Sequence, residues 1–518
     1  MQLSARNADC LGRSEMESSF ALAAIGYNFN ALARNMIVKL NHLQGKSAAT
    51  SAQDVIGTVY ALLEEGHIEK AQFARLQIEL DWIQYKQNFR EVVIATHGYN
   101  EQGQQVPIMD VHIDIRQVVP GCLRAALLRA LAHSNAPEPQ NQDRLPLEEF
   151  QSMRSSIVWE FNKLYWSRVR DWEIATGKGY EQALPGGASD GHNPEAIADS
   201  VADFWTLLRD LESKNQLPAE IYLLEIGVGT GVRCGMWLTK FRALDQERGT
   251  DYYPKLRVLL GDYSLATLDM SRPAVEDHVD LCSFLVLDAV NPLKTLSFLR
   301  HKIMQVHSTN VYDNLPDEEV VRRDGKLYFV QVRAYVPMAD VVRLSTEFDI
   351  PRDKLRSTVN RLLSGSTEFL GDPARGVAFW MDIWNTIRLE ERLVLVEDLP
   401  DFPFPQGLDA QKVEDILKDA PTDFRFHLSS GALASFLNTL PLLHPRGYLQ
   451  VQDIFVTELD QYRLGFYGPG KLDGSLMNWV NGALLKEVAE RAGYNVRFAP
   501  FHYRKGSRTS VLYTTRRE

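Results

Sequence analysis

The run Ile221-Tyr222-Leu223-Leu224-Glu225-Ile226 passes directly into Gly227-Val228-Gly229-Thr230-Gly231, and residues Val232 to Leu244 then read as a helix. An apolar run of this length suits a strand buried on both faces of a parallel sheet. Glycines let the backbone take positive φ and pass close to a ligand. The helix that follows offers free N–H groups at its start. Strand, turn and helix together predict a nucleotide-binding βα unit, which places the chain in the α/β class.

The ligand is narrowed by what is missing. The dinucleotide pattern GxGxxG needs glycine at 232, where this chain has Val232, and no GxxxxGK[ST] occurs. An acid, Glu225, stands just before a GxGxG turn instead. That suits a ligand with an adenosyl group and a cationic amine, as in S-adenosylmethionine, better than a pyrophosphate. Leu256-Arg257-Val258-Leu259-Leu260-Gly261-Asp262-Tyr263-Ser264 reads as a second strand ending in an acid, and Cys282 to Leu287 as a third, ending in Asp288-Ala289. A carboxylate at the end of strand 2 is placed to accept hydrogen bonds from ribose hydroxyls.

The segment Leu223 to Gly231 resembles motif I of class I S-adenosylmethionine-dependent methyltransferases. The resemblance implies a Rossmann-like sheet, with Glu225, Gly227, Gly229, Gly231, Asp262, Ser264, Asp288 and Ala289 as cofactor-binding residues. The long spacing from Glu225 to Asp262 is similar to that of the MidA family, which includes the mitochondrial complex I assembly factor with protein-arginine methyltransferase activity. Asn310-Val311-Tyr312-Asp313-Asn314-Leu315-Pro316 resembles that family's strand-4 signature, with Val311 where the family has Glu. A carboxylate there would orient a guanidinium, so its loss argues against arginine as the acceptor. His444 to Asp453 resembles strand 5, Ala483 to Ala492 reads as a helix, and Gly493 to Phe498 with Ser510 to Thr515 resemble the terminal strand pair.

The resemblance covers about residues 197 to 320 and 425 to 518. The expected organisation is an α-rich N-terminal region with a β-hairpin (1–150), the first part of the methyltransferase domain (151–320), an inserted α+β cap (321–424) and the second part of that domain (425–518). Within the first region, Gln53 to Leu63 and Ile68 to Phe89 read as helices, and Glu91 to Ala95 with Val106 to Ile115 as the hairpin. Ser134 to Leu147 reads as a linker, residues 150 to 174 as aromatic-rich helix, and Gly177 to Pro194, with five glycines and two prolines, as a long irregular loop. Loops of that length are often functional lids. An insertion after strand 4 sits where ligands bind, which suits a substrate cap.

Methyl transfer from a sulfonium is an in-line displacement governed by alignment, and a base is needed only when the acceptor carries a proton. Asp313 is the candidate base or orienting acid, and Asn310 the candidate donor to acceptor or cofactor. Asp453, Tyr180 and His192 are further candidates for lining the cleft. Asp110, His112 and Asp114 alternate on one strand face, but this is the pattern of a solvated hairpin face, and no metal is expected. The alternative function is a methyltransferase-fold scaffold or assembly factor that binds a protein partner with little catalysis.

Composition sets outer bounds. A hydrophobic fraction of 45% and a charged fraction of 24% over 518 residues are ordinary for a globular protein of about three domains. A net charge of −11 gives no general attraction for nucleic acid, and the Arg516-Arg517 tail is too short to supply one. No apolar run reaches the length of a membrane span. The four cysteines form no CxxC pair and fit a reducing compartment. The expected setting is the cytoplasm, or the mitochondrial matrix in a eukaryote. The expected partner is a small-molecule or protein acceptor, and a homodimer is the open oligomeric alternative.

Overall fold

The computed structural model describes residues 144–177, 179–183, 189–323, 326–365, 367–396, 404–405, 407–417, 424–464, 468–472 and 474–517. In the N-terminal part it describes 37–40, 52–73, 76–81, 93–99, 105–114, 123–124 and 127–128. The chain forms two compact units, Met1–Pro139 and Gln140–Glu518.

The N-terminal unit holds strand β1 (Ile37–Leu40), helix α1 (Ala52–Glu64), β2 (Leu76–Asp81), β3 (Val93–Tyr99) and β4 (Gln105–Asp114). Its sheet has the order β1-β2-β4-β3, with β3 antiparallel to β4 as the hairpin reading required. Helix α1 buries Val55, Val59 and Leu62, one stripe at helical spacing. The helix expected over 68–89 is corrected. Leu76-Gln77-Ile78-Glu79-Leu80-Asp81 alternates apolar and polar residues, the period of a strand, and pairs in parallel with β4. Asp110, His112 and Asp114 fall on β4, with side chains outside the described residues. Trp82, Ile83, Phe89, Cys10 and Cys122 also lie outside them.

The second unit begins with β5 (Arg144–Pro146) and β6 (Gln151–Ser152), where the end of a linker was expected. Helices α2 (Ile157–Ser167), α3 (Val169–Thr176) and α4 (Pro194–Ser213) follow. Asn193 caps α4 by accepting from the N–H groups of Glu195 and Ala196, and Pro194 opens its first turn. The sheet then starts with β7 (Ile221–Ile226), α5 (Val232–Arg248), β8 (Leu256–Asp262), α6 (Leu265–Ser271), β9 (Cys282–Val286) and β10 (Ile303–Thr309).

An inserted sheet follows, made of β11 (Glu319–Arg323), β12 (Lys326–Pro337), β13 (Arg388–Leu395) and β14 (Phe424–His427). Helices α7 (Met338–Glu347), α8 (Leu355–Leu363) and α9 (Pro373–Thr386) lie between β12 and β13. The insert order is β13-β12-β11-β14, and β5 and β6 pair with β12. Residues 144–152 thus join the insert's sheet. First and last strands of the insert run side by side, with Glu319 opposite His427.

The chain returns through α10 (Ser430–Thr439), β15 (Leu443–Asp453), α11 (Gly482–Arg491), β16 (Tyr494–Pro500) and β17 (Ser510–Arg516). The seven-stranded sheet has the order β16-β17-β15-β10-β7-β8-β9, parallel except where β17 reverses against β15 and β16. One face buries Phe204, Leu208, Trp237 and Phe241 of α4 and α5 on Leu223, Val258 and Leu260. The other buries Leu433, Phe436 and Leu485 of α10 and α11 on Leu224, Val306 and Leu449. From β7 the chain builds outward to β8 and β9, then crosses back to β10. The β7–β10 seam is therefore the topological switch point, where the carboxyl ends of the strands leave a crevice.

Candidate cofactor cleft

The glycine turn sits at that switch point. Gly227, Gly229 and Gly231 have φ of 74°, 53° and 75°, values that L side chains rarely adopt. A Cβ at Gly227 would collide with Val311 Cγ2, which reaches across the seam from the loop after β10. A Cβ at Gly229 would lie 3.0 Å from the Tyr180 hydroxyl. The Thr230 Oγ1 is buried without a hydrogen-bond partner in the protein.

Glu225 is not a free acid. Its carboxylate accepts from Arg233 Nη1 at 2.8 Å, and both residues are buried. Burial pushes the Glu225 carboxyl up and the guanidinium pulls it back. Its charge is met from within, by the second residue of α5. Opposite Glu225 on β10 lies His307, which bonds Thr309 Oγ1 (2.8 Å) and Gln450 Oε1 (3.3 Å) and is held neutral by burial.

Asp262 ends β8 as expected. Its carboxylate accepts from Gly229 N at 3.4 Å and from Ser264 N at 3.1 Å, tying the end of strand 2 to the glycine turn. Burial pushes its carboxyl up while these backbone donors pull it down. The Ser264 hydroxyl caps α6 by accepting from Thr267 N, so it is committed to helix geometry. Asp288 is exposed just past β9, and its Oδ1 accepts from Val290 N at 2.9 Å. Ala289 packs on the sheet core.

The loop after β10 turns at Asn310, whose φ of 52° explains an asparagine there, since its short side chain tolerates the left-handed region. Tyr312 and Asp313 donate their backbone N–H groups to Asp453 Oδ2 at 2.8 and 3.3 Å, so the acid ending β15 anchors this loop. The Asp313 side chain is buried and accepts from Asn314 Nδ2 at 2.8 Å. Burial and the neighbouring Asp453 push it well above the carboxylate range. The backbone donors gather on Asp453, which leaves Asp313 the carboxyl of the pair with fewer donors.

A roof crosses the cleft that the sequence only hinted at. Trp166 of α2 donates to Asn314 Oδ1 at 3.0 Å and meets the Tyr180 ring edge-on, with centroids 5.7 Å apart. Asn162 of α2 donates to the Asn314 carbonyl at 2.9 Å and accepts from Leu476 N at 2.8 Å. Tyr180 and His192 lie in two short 3-10 turns, Tyr180–Ala183 and Asp190–His192. Buried Asp190 locks the second turn by accepting from Ser507 Oγ (2.6 Å) and Thr509 Oγ1 (2.7 Å) and pairing with Arg504 (2.9 Å). Three further aromatics of α2 and α3 pack on the insert: Phe161 on Trp384, and Tyr165 and Trp172 on Trp380. Trp166 was read with the helix aromatics as core, and a lone asparagine on a helix, Asn162, carries no sequence signal for a site.

The strand order, with its single reversed strand and its glycine turn at the seam, decides the architecture. The fold is that of the class I methyltransferases. No family model matches the chain, and no curated protein matches it in sequence. Among solved structures it is similar to a COG1565 superfamily member from Burkholderia thailandensis bound to S-adenosyl-homocysteine, at 13% identity, covering 76% of this chain and 91% of that one, with a TM-score of 0.41. It is also similar to the CurJ carbon methyltransferase (12% identity, 82% of this chain, 76% of that one, TM-score 0.30). The DszA carbon methyltransferase gives 12%, 94%, 86% and 0.30. These likenesses are distant, and the fold assignment rests on the strand order itself. Among the described residues no cluster of potential metal ligands occurs, and no helix is long and apolar enough to cross a membrane.

Proposed function

We propose that the chain is an S-adenosylmethionine-dependent methyltransferase acting on a small-molecule or protein side-chain acceptor. The observation that carries this reading is the join between Gly229 and Asp262, which sets a strand-end carboxylate beside a positive-φ glycine turn at the switch point. The site fits the cofactor in two respects: an acid placed for ribose hydroxyls and the unpartnered Thr230 Oγ1. Asp262 would hold the ribose, Asp288 the adenine amino group, and Gly227 to Gly231 the methionine portion. The cofactor supplies a methyl group on an activated leaving group. The chain's own contribution is alignment and exclusion of water, through the Asn310–Asn314 loop below and Trp166 and Tyr180 above. Val311 presents a hydrocarbon to the seam, so this loop offers an acceptor no carboxylate at that position.

A scaffold role draws support from one fact: Val311 and Tyr180 themselves rest on the glycines. Calorimetry separates the readings. Micromolar binding of S-adenosylmethionine or S-adenosylhomocysteine is expected, and no heat with either would overturn the enzyme reading. Gly229→Leu should abolish binding, because a side chain there is strained at φ 53° and meets the Tyr180 hydroxyl.

A further inference from the structure

The first turn of the roof gathers negative charge around an aromatic ring. The Tyr180 N–H donates to Glu173 Oε1 at 2.9 Å, fixing the turn to the end of α3. The Tyr180 hydroxyl rests on Gly229 and lies 3.4 Å from Glu181 Oε1. Glu181 Oε2 stands 3.5 Å from His192 Nδ1, and both side chains are about three-quarters buried. Among the described residues His192 is the one ionic contact of Glu181, and no Arg or Lys reaches it. Burial, with Glu181, Asp262 and Glu173 nearby, pushes the phenol up and keeps it protonated. A half-buried ring and a carboxylate, set above the glycine turn without a balancing guanidinium, favour a cation beside them.

We infer that Tyr180 and Glu181 recognise the positive charge of the cofactor's sulfonium, and so favour the methyl donor over its neutral demethylated product. This rests on the proposed cofactor. It concerns selection within the cleft rather than occupancy of it. The two ligands differ by a methyl group and one charge, so groups that act only by shape contribute almost equally to both. A charge-reading pair contributes to one. The consequence is relief of product inhibition: once the methyl group has left, the roof loses its attraction for what remains.

The test is calorimetry on the full chain at pH 8, above the ordinary imidazole range. The probes are S-adenosylmethionine, S-adenosylhomocysteine and sinefungin, which carries an ammonium in place of the sulfonium. Glu181→Gln and Tyr180→Leu should each weaken the two cationic ligands about tenfold, with S-adenosylhomocysteine within about twofold of wild type. Tyr180→Phe should keep the preference, because the ring remains. Equal weakening of all three ligands, or none, would overturn the inference while leaving the cofactor reading standing. A wild-type chain that binds none of the three would overturn both. Matching far-ultraviolet circular dichroism and melting temperatures show that the variants are folded.

Discussion

Asp313 shows how burial changes the chemistry that a residue type suggests. In the sequence it is an acid at the end of strand 4, the natural place for a base. In the fold it is enclosed beside Asp453 and bonded to Asn314. A carboxyl held up in the folded state keeps a proton that the unfolded chain releases above the ordinary carboxylate range, about pH 4. The folded state then binds more protons, so stability falls as pH rises from there through neutrality. Asp313→Asn mimics the protonated form and removes this term. Denaturant midpoints at pH 5.5 and 8 should differ less in the variant than in the wild type, and at pH 8 the variant should be the more stable. An unchanged pH dependence would show that Asp313 is ionised. Glu225 teaches a related lesson. Its position was legible from the motif, but its partner was not. Arg233 lies eight residues on, and only the reversal from strand to helix through three glycines brings the two together. Asn310 was legible as part of a signature, while its positive φ is the physical reason for the residue.

At the scale of elements, helix α2 joins three parts of the unit. Asn162 satisfies the carbonyl of Asn314 and the N–H of Leu476 at once, one with each end of its amide. Asn162→Leu leaves two buried backbone groups unpaired, a cost of about 2–4 kcal/mol. A urea midpoint lowered by that amount is expected, and a loss below about 1 kcal/mol would mean that these two bonds contribute little to holding the loop after β10. The sheet itself was readable: β7, β8, β15 and the terminal pair were each announced by apolar runs between turn residues. Two kinds of element were not. Leu76–Asp81 was hidden because apolar density was read where the alternation mattered. Strands β5 and β6 were hidden because two- and three-residue strands carry no pattern, and only pairing with β12 creates them.

For the whole molecule, every residue assigned to the cleft belongs to the unit Gln140–Glu518. A chain that begins at Gln140 should therefore fold cooperatively and bind S-adenosylmethionine within about threefold of the full protein's affinity. A larger loss, with the shortened chain still folded, would show that residues 1–139 reach the cleft. The insert bears on the order of assembly. The Glu319–His427 rung puts its entrance and exit side by side, so the long excursion between β10 and α10 closes on itself before the sheet resumes. Closing a loop costs entropy that grows only with the logarithm of its length. Residues can thus be added or removed inside the excursion while the β10–β15 pairing keeps its register. A lineage of such chains could exchange its acceptor-facing surface wholesale and leave the glycine seam untouched.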